Sequence, residues 1–153
     1  MIDDMQDPPA PRASSSAAGR RETILDSVLG FAIIGTDLDG VIREWNPGAA
    51  AIFGWTEQEA MGSPISLIFT PEDLAVDRPG EEMRLSVQDG RANDERWHIR
   101  KDGARFWASG EMTPLLAKDG ARLGFVKVVR DRTSEHQDRQ ALTEAKDRLR
   151  RAQ

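Results

Sequence analysis

Phe31-Ala32-Ile33-Ile34-Gly35-Thr36, then Asp37-Leu38-Asp39-Gly40, then Val41-Ile42-Arg43-Glu44-Trp45, and finally Asn46-Pro47, decide how this chain is read. Two runs rich in β-branched and aromatic residues flank an Asp-Gly turn, the pattern of an antiparallel hairpin. Asn46 then suits an N-cap, and Pro47 suits the first helical position, where a missing N–H costs nothing. The helix that follows, 48–53, is small and alanine-rich, and Gly54 closes it. Thr56 and Glu59 have the T-x-x-E spacing of a capping box for another short helix, ended by Gly62 and Pro64.

Working outward, residues 66–84 predict one or two helical turns interrupted by Pro71 and by Pro79-Gly80. After Asp89-Gly90 the pattern returns to β, with strands over 91–100, 104–116 and 121–130. Asp102-Gly103 and Asp119-Gly120 supply the turns between them. Two strands, a block of short helices and three more strands imply an α+β fold with an antiparallel sheet. Upstream, residues 1–20 carry Pro8, Pro9, Pro11 and Ser14-Ser15-Ser16 but little that is large and apolar. Such a segment cannot offset its ordering entropy and reads as a disordered leader. Ile24, Leu25, Val28 and Leu29 then recur at helical spacing, which places a short amphipathic helix before the core of a domain spanning 21–132.

Residues 133–153 predict a final helix, capped by Thr133 or by Ser134 with Gln137 closing an S-x-x-Q box. Leu142, Ala145, Leu149 and Ala152 follow the 3-4-3 spacing of a coiled-coil seam. A seam of two heptads is marginal alone, so the helix is expected to continue further or to pair with a second copy.

Bulk properties remove several classes of function. Lys and Arg number 21 against 26 Asp and Glu, a net charge of -5, which gives no basic face for nucleic acid. There is no cysteine, so disulfides, thiolate metal sites and cysteine nucleophiles are excluded, and a reducing cytoplasm is the expected setting. No apolar run approaches the ~20 residues of a membrane span. His98 and His136 have no nucleophile arranged beside them in the sequence and lie too far apart to suggest a metal site. His136 is followed by Gln137 and His98 by Ile99, so neither opens the H-[DE]-x-x-[NP] pattern of a kinase phosphoacceptor. With no glycine-rich phosphate loop either, no catalytic residue is assigned.

Several ordered features together resemble the PAS (sensory box) family over Glu22 to Thr133. They are Trp45-Asn46-Pro47 with Ala49-Ala50-Ala51-Ile52-Phe53-Gly54-Trp55; Glu59-Ala60-Met61-Gly62 with Phe69-Thr70-Pro71-Glu72-Asp73; Arg100-Lys101-Asp102-Gly103 with Phe106-Trp107; and Gly124-Phe125 leading to Asp131-Arg132-Thr133. The last looks like the family's Asp-x-Thr junction with an output helix. The resemblance implies a five-stranded antiparallel sheet with helices over one face, sometimes enclosing a small molecule, and sensing rather than catalysis. It also implies an effector downstream. Leu149-Arg150-Arg151-Ala152-Gln153 resembles the approach to the phosphoacceptor helix of sensor histidine kinases, which points to a histidine kinase in a two-component system.

Strand parity then sorts the candidate residues. His98 falls on the face of Arg96, opposite Trp97 and Ile99, and the resemblance makes its position a ligand contact in flavin-binding relatives. The alternative is a histidine hydrogen-bonded inside the domain. Ala108, Gly110, Met112 and Val129 face inward beside Ile52 and Phe53. Small side chains there leave room for a ligand or let a helix pack close. Trp97, Ile99, Trp107, Val126 and Val128 face the other way and need cover. That cover is the chain's own Ile24-Leu25-Val28-Leu29 helix, a homodimer interface, or both. Asp131, Thr133, Leu142 and Leu149 are the expected transmission residues. Two readings stay open, a sensor with a ligand and a ligand-free interaction module with a filled core.

The family's photochemical flavin branch needs a cysteine near 62–67, and its haem branch a proximal histidine over 70–87. The sequence has neither, although flavin without a cysteine stays open. The purified protein is therefore expected to be colourless. A Soret band or a flavin spectrum would contradict this and make His98 a ligand contact.

Overall fold

The computed structural model describes residues 17–27 and 30–152. Six helices and five strands follow one another as α1 (Ala17–Ser27), β1 (Ala32–Thr36), β2 (Ile42–Trp45), α2 (Pro47–Phe53), α3 (Glu57–Ala60), α4 (Pro71–Ala75), α5 (Arg78–Asp89), β3 (Ala92–Ile99), β4 (Arg105–Leu116), β5 (Arg122–Asp131) and α6 (Thr133–Arg151). A single 3-10 turn, Ile65–Ile68, links α3 to α4. The strands form one antiparallel sheet in the order β2-β1-β5-β4-β3. This is the expected α+β sheet, with α2 to α5 over one face.

The opening hairpin is fixed by two side chains. Asp37 Oδ1 accepts the backbone N–H groups of Asp39 (2.9 Å) and Val41 (3.0 Å), and this closes the turn in which Gly40 takes φ 80°. Asn46 caps α2 by accepting the Ala49 N–H at 2.8 Å. The same oxygen accepts the Ile33 N–H at 2.8 Å, and Nδ2 donates to the Phe31 carbonyl at 3.1 Å. One amide thus ties α2 to the strand before it. The T-x-x-E box forms as read, with Thr56 N–H donating to Glu59 Oε1 at 3.1 Å and Glu59 N–H to Thr56 Oγ1 at 3.2 Å.

Three boundaries differ from the sequence reading. α1 begins at Ala17, inside the expected leader, because Ala17-Ala18 favour helix and Thr23 Oγ1 donates back to the Gly19 carbonyl at 3.0 Å. Pro79-Gly80 does not interrupt a helix but starts one. Asp77 sits at φ 52° and accepts the Gly80 N–H at 3.3 Å, so Pro79 falls in the first turn of α5. Neither expected residue caps α6. Arg132 is its N-cap without a side-chain bond, and Thr133 is already helical. Of the residues expected to form the apolar face of the N-terminal helix, Val28, Leu29 and the Leu25 side chain lie outside the described residues.

The core packs Ile34, Ile42 and Trp45 from the hairpin against Ile52, Phe53, Ile65, Ile68 and Phe69 from the helical layer. Phe106, Met112 and Val129 complete it from β4 and β5. Burial of each large side chain contributes roughly 1.5–3 kcal/mol. Gly124 marks a close backbone approach, where a Cβ would overlap the carbonyl of Thr36 on β1. Gly124→Ala is therefore expected to cost at least ~3 kcal/mol in urea unfolding. Gly30→Ala, which meets nothing within 4 Å, serves as the control and should stay within ~0.5 kcal/mol of wild type. Equal stabilities would contradict the β1–β5 packing.

Candidate functional site

Alternation along β5 places Phe125, Lys127 and Val129 on the inner face and Val126 and Val128 on the outer. The register sets Lys127 opposite Met112 on β4 and Ile34 on β1, all of them fully buried. An ammonium with 0% exposure must be neutralised where it stands. Glu82 from α5 meets it at 2.7 Å, and Asp94 from β3 at 3.2 Å. Arg96 extends the group. Its Nε donates to Asp94 Oδ2 and lies 3.3 Å from Glu82 Oε1, and its Nη1 lies 3.4 Å from Asp73 on α4. Gly110 makes this possible, because a Cβ there would sit 2.5 Å from Asp94 Oδ1 and 3.0 Å from Lys127 Nζ.

Burial, then the neighbouring Asp94 carboxylate, pushes Glu82 up to about 8 despite the Lys127 charge. Burial also works against ionised Asp94. The neighbouring Glu82 carboxyl, the charge of Lys127 and the hydrogen bond and charge of Arg96 outweigh that and hold it below the usual carboxylate range. Glu82 Oε1 and Asp94 Oδ1 are buried without a hydrogen-bond partner.

His98 lies beside this cluster on the same strand face and is fully buried. Its Nδ1 is 2.9 Å from the Ile68 carbonyl, and its ring meets Phe69 edge-on at 5.0 Å and Phe53 at 6.0 Å. Burial, and then the charge of Lys127, drives its pKa down to about 3, so the ring is neutral. Nδ1–H donates to Ile68 and leaves Nε2 as a buried acceptor without a partner. The structure thus brings together the expected inward residues: Arg96, His98, Ala108, Gly110, Met112, Val129, Ile52 and Phe53. Lys127, Glu82 and Asp94 were missed. Parity alone was enough to place Lys127 and Asp94 inward.

The second constellation joins the sheet to α6. Asp131 Oδ1 accepts from the Thr133 N–H at 2.9 Å and the Thr133 hydroxyl at 2.6 Å, and Oδ2 accepts from Arg100 at 2.8 Å. Burial opposes ionisation of Asp131, yet these bonds lower its pKa. Trp107 is held from both sides, its N–H donating to Thr133 Oγ1 at 3.2 Å and its carbonyl accepting the Arg132 N–H at 2.7 Å. Arg100 also donates to the Ile52 carbonyl of α2 and lies 4.2 Å over the Phe106 ring.

On the outer face Trp97 and Trp107 pair across strands, with ring centres 5.2 Å apart. The first cover on them is His136 of α6, stacked on Trp107 at 4.4 Å and edge-on to Trp97 at 5.3 Å. α1 makes its main contacts with α2 rather than with this face, and Ile24 is 52% exposed. Trp97 remains 38% exposed, and Ile99, Val126 and Val128 are half-buried. Beyond His136 the helix leaves the domain, with Leu142 and Leu149 exposed. No helix among the described residues is long and apolar enough to cross a membrane.

Comparison with known proteins agrees with this geometry. A family model described as PAS fold matches residues 19–132. Two-component system protein A of Emericella nidulans is 37% identical over 110 residues, covering 72% of this chain and 16% of that protein. The probable diguanylate cyclase DgcE of Escherichia coli is 32% identical over 117 residues, covering 74% of this chain and 10% of its own length. The chain therefore spans a sixth or less of these curated relatives. The crystal structure of a PAS domain from Colwellia psychrerythraea superposes with a TM-score of 0.72 at 26% identity, covering 78% of this chain and 99% of that one. With its five-stranded antiparallel sheet, helical layer and Asp-x-Thr junction, the chain belongs to the PAS fold family.

Proposed function

We propose that this PAS domain receives a signal in its inner core and passes it through α6 to a C-terminal effector, a histidine kinase in a two-component system. The observation that carries the reading is the junction at Asp131. One carboxylate holds the first turn of α6 through Thr133 and, through Arg100, the end of α2 beside the core. A change in inner packing that moves Arg100 therefore alters the seat of α6, a two-state element of the kind signalling requires. The name of the Emericella relative supports a two-component pathway, and that of the Escherichia coli relative shows that other outputs occur beside a similar domain.

Two copies are part of this reading. Leu142 and Leu149 are 57% and 68% exposed on α6, and an isolated helix of this length is marginal in water. Pairing along that seam and across the Trp97 face gives both surfaces cover. We place the module in the cytoplasm, and we assign it no catalytic residue. The ligand-free interaction module remains the second reading, favoured by the filling of the inner face with the chain's own Lys127, Met112 and Phe106. A small molecule carried through native mass spectrometry would exclude it.

Asp131→Ala tests the junction in the full-length protein. The domain should stay folded, while amide exchange at 133–136 speeds up about 10- to 100-fold, the worth of a charged hydrogen bond. Effector output should stop responding to the stimulus. Unchanged output would overturn the proposal. Analytical ultracentrifugation tests the pairing: Trp97→Glu, and separately Leu142→Ala with Leu149→Ala, should each shift the protein towards monomer. A dimer unaffected by both would place the interface elsewhere.

A further inference from the structure

The charges facing Glu82 do not balance. From β5 comes Lys127, from β3 Asp94, Arg96 and neutral His98, and from α4 Asp73. On α5 itself Arg78 pairs with Glu81 at 2.9 Å and reaches Asp73 at 3.8 Å, which adds one charge of each sign. β4 contributes Gly110 and Met112, which carry none. Among these groups the carboxylates outnumber the cations by one, and Glu82 and Asp94 are almost wholly buried. Both carboxyls touch the same ammonium, and each keeps one buried oxygen without a hydrogen-bond partner. One proton on Glu82 restores neutrality and turns an orphaned acceptor into a donor.

We propose that the Glu82–Asp94 pair holds one exchangeable proton whose loss loosens α5 from the sheet, so that the proton itself is a stimulus this domain reads. This rests on the reading of the chain as a signal receiver and names what is received. Lys127 and Arg96 stand against both carboxyls, but Arg96 donates its hydrogen bond to Asp94, which stays ionised, so Glu82 carries the proton. When that proton leaves, the core gains an uncompensated negative charge with little access to water, and exposing Glu82 by lifting α5 relieves it.

The linkage has a definite sign. Glu82 titrates near 4.5 when exposed and about 8 when buried, so folded protein binds the extra proton between these values. Its contribution to stability is complete below 4.5 and is lost as pH rises towards 8. His98 acts oppositely. Buried neutral at about 3 against 6.5 when exposed, it makes stability rise with pH until its exposed form has lost its proton. Asp94 stabilises except in strong acid. Above pH 6.5 the Glu82 contribution therefore stands alone.

Amide exchange of Ser86 and Val87 on α5 reads this directly. Between pH 6.5 and 8 the logarithm of the rate should climb by about two per pH unit, one from hydroxide catalysis and one from the linked proton. In Glu82→Gln, which keeps the shape of the protonated acid, it should climb by about one. Equal slopes in the two proteins would overturn the proposal. Should the variant fail to fold, the carbon-13 carboxyl shift of Glu82 in the unaltered chain decides. A midpoint above 7 supports the shared proton, and one at or below 7 overturns it. Both readouts stay within α5, so their failure removes the proton as stimulus and leaves the receiver reading to the Asp131→Ala test.

Discussion

Lys127 places an ammonium at the centre of the sheet, where water does not reach it, and much of the molecule is arranged around that charge. Desolvating an amine costs several kcal/mol, and only close carboxylates recover it. They come from two elements far from Lys127 in sequence, Glu82 on α5 and Asp94 on β3, so neutralising Lys127 also docks α5 against the sheet edge. Gly110 follows from the same requirement, since the inner face of β4 must be empty where Asp94 and Lys127 meet across it. Replacing such a group by apolar side chains often costs little stability, so strength alone does not account for it.

The cluster lies in register with the output. Arg96 faces Ala108 across β3 and β4, and Ala108 faces Asp131 across β4 and β5. One cross-strand row thus runs from the ionic group to the carboxylate that seats α6. Arg100, one turn of the strand pleat beyond His98, adds a second link, because it touches Phe106, the end of α2 and Asp131 together. On the far side of the sheet His136 rests on Trp107, so a tilt of α6 must disturb the aromatic pair as well. The core, the junction and the outer face therefore share β4.

Turn residues and alternation made the fold legible. Asp-Gly pairs marked the hairpins, Asn46-Pro47 marked the start of α2, and the five strands fell within a residue or two of their observed limits. The site was legible in part. Alternation put Arg96, His98 and Gly110 on the correct face and equally put Asp94 and Lys127 there, but charged residues in mid-strand are ordinarily solvated, and that expectation hid them. Glu82 gave less signal still, because Pro79-Gly80 disguised the start of α5 and with it the helix face on which Glu82 lies. Neither the neutral charge state of Glu82 nor the cover of Trp107 by His136 has any local sequence mark. Both depend on contacts between distant segments.

On the proposed route, the charge state of the buried cluster reaches the seat of α6. Backbone amide shifts of 131–136, compared between the unaltered chain and Glu82→Gln on either side of pH 8, test it most directly. Thr133 and His136 should shift with pH in the unaltered chain, with the same midpoint as α5, and stay fixed in the variant. If the pH response of the unaltered chain is confined to α4, α5 and β3 while 131–136 do not move, the cluster is a local stabilising device and the proposed route to the output is wrong.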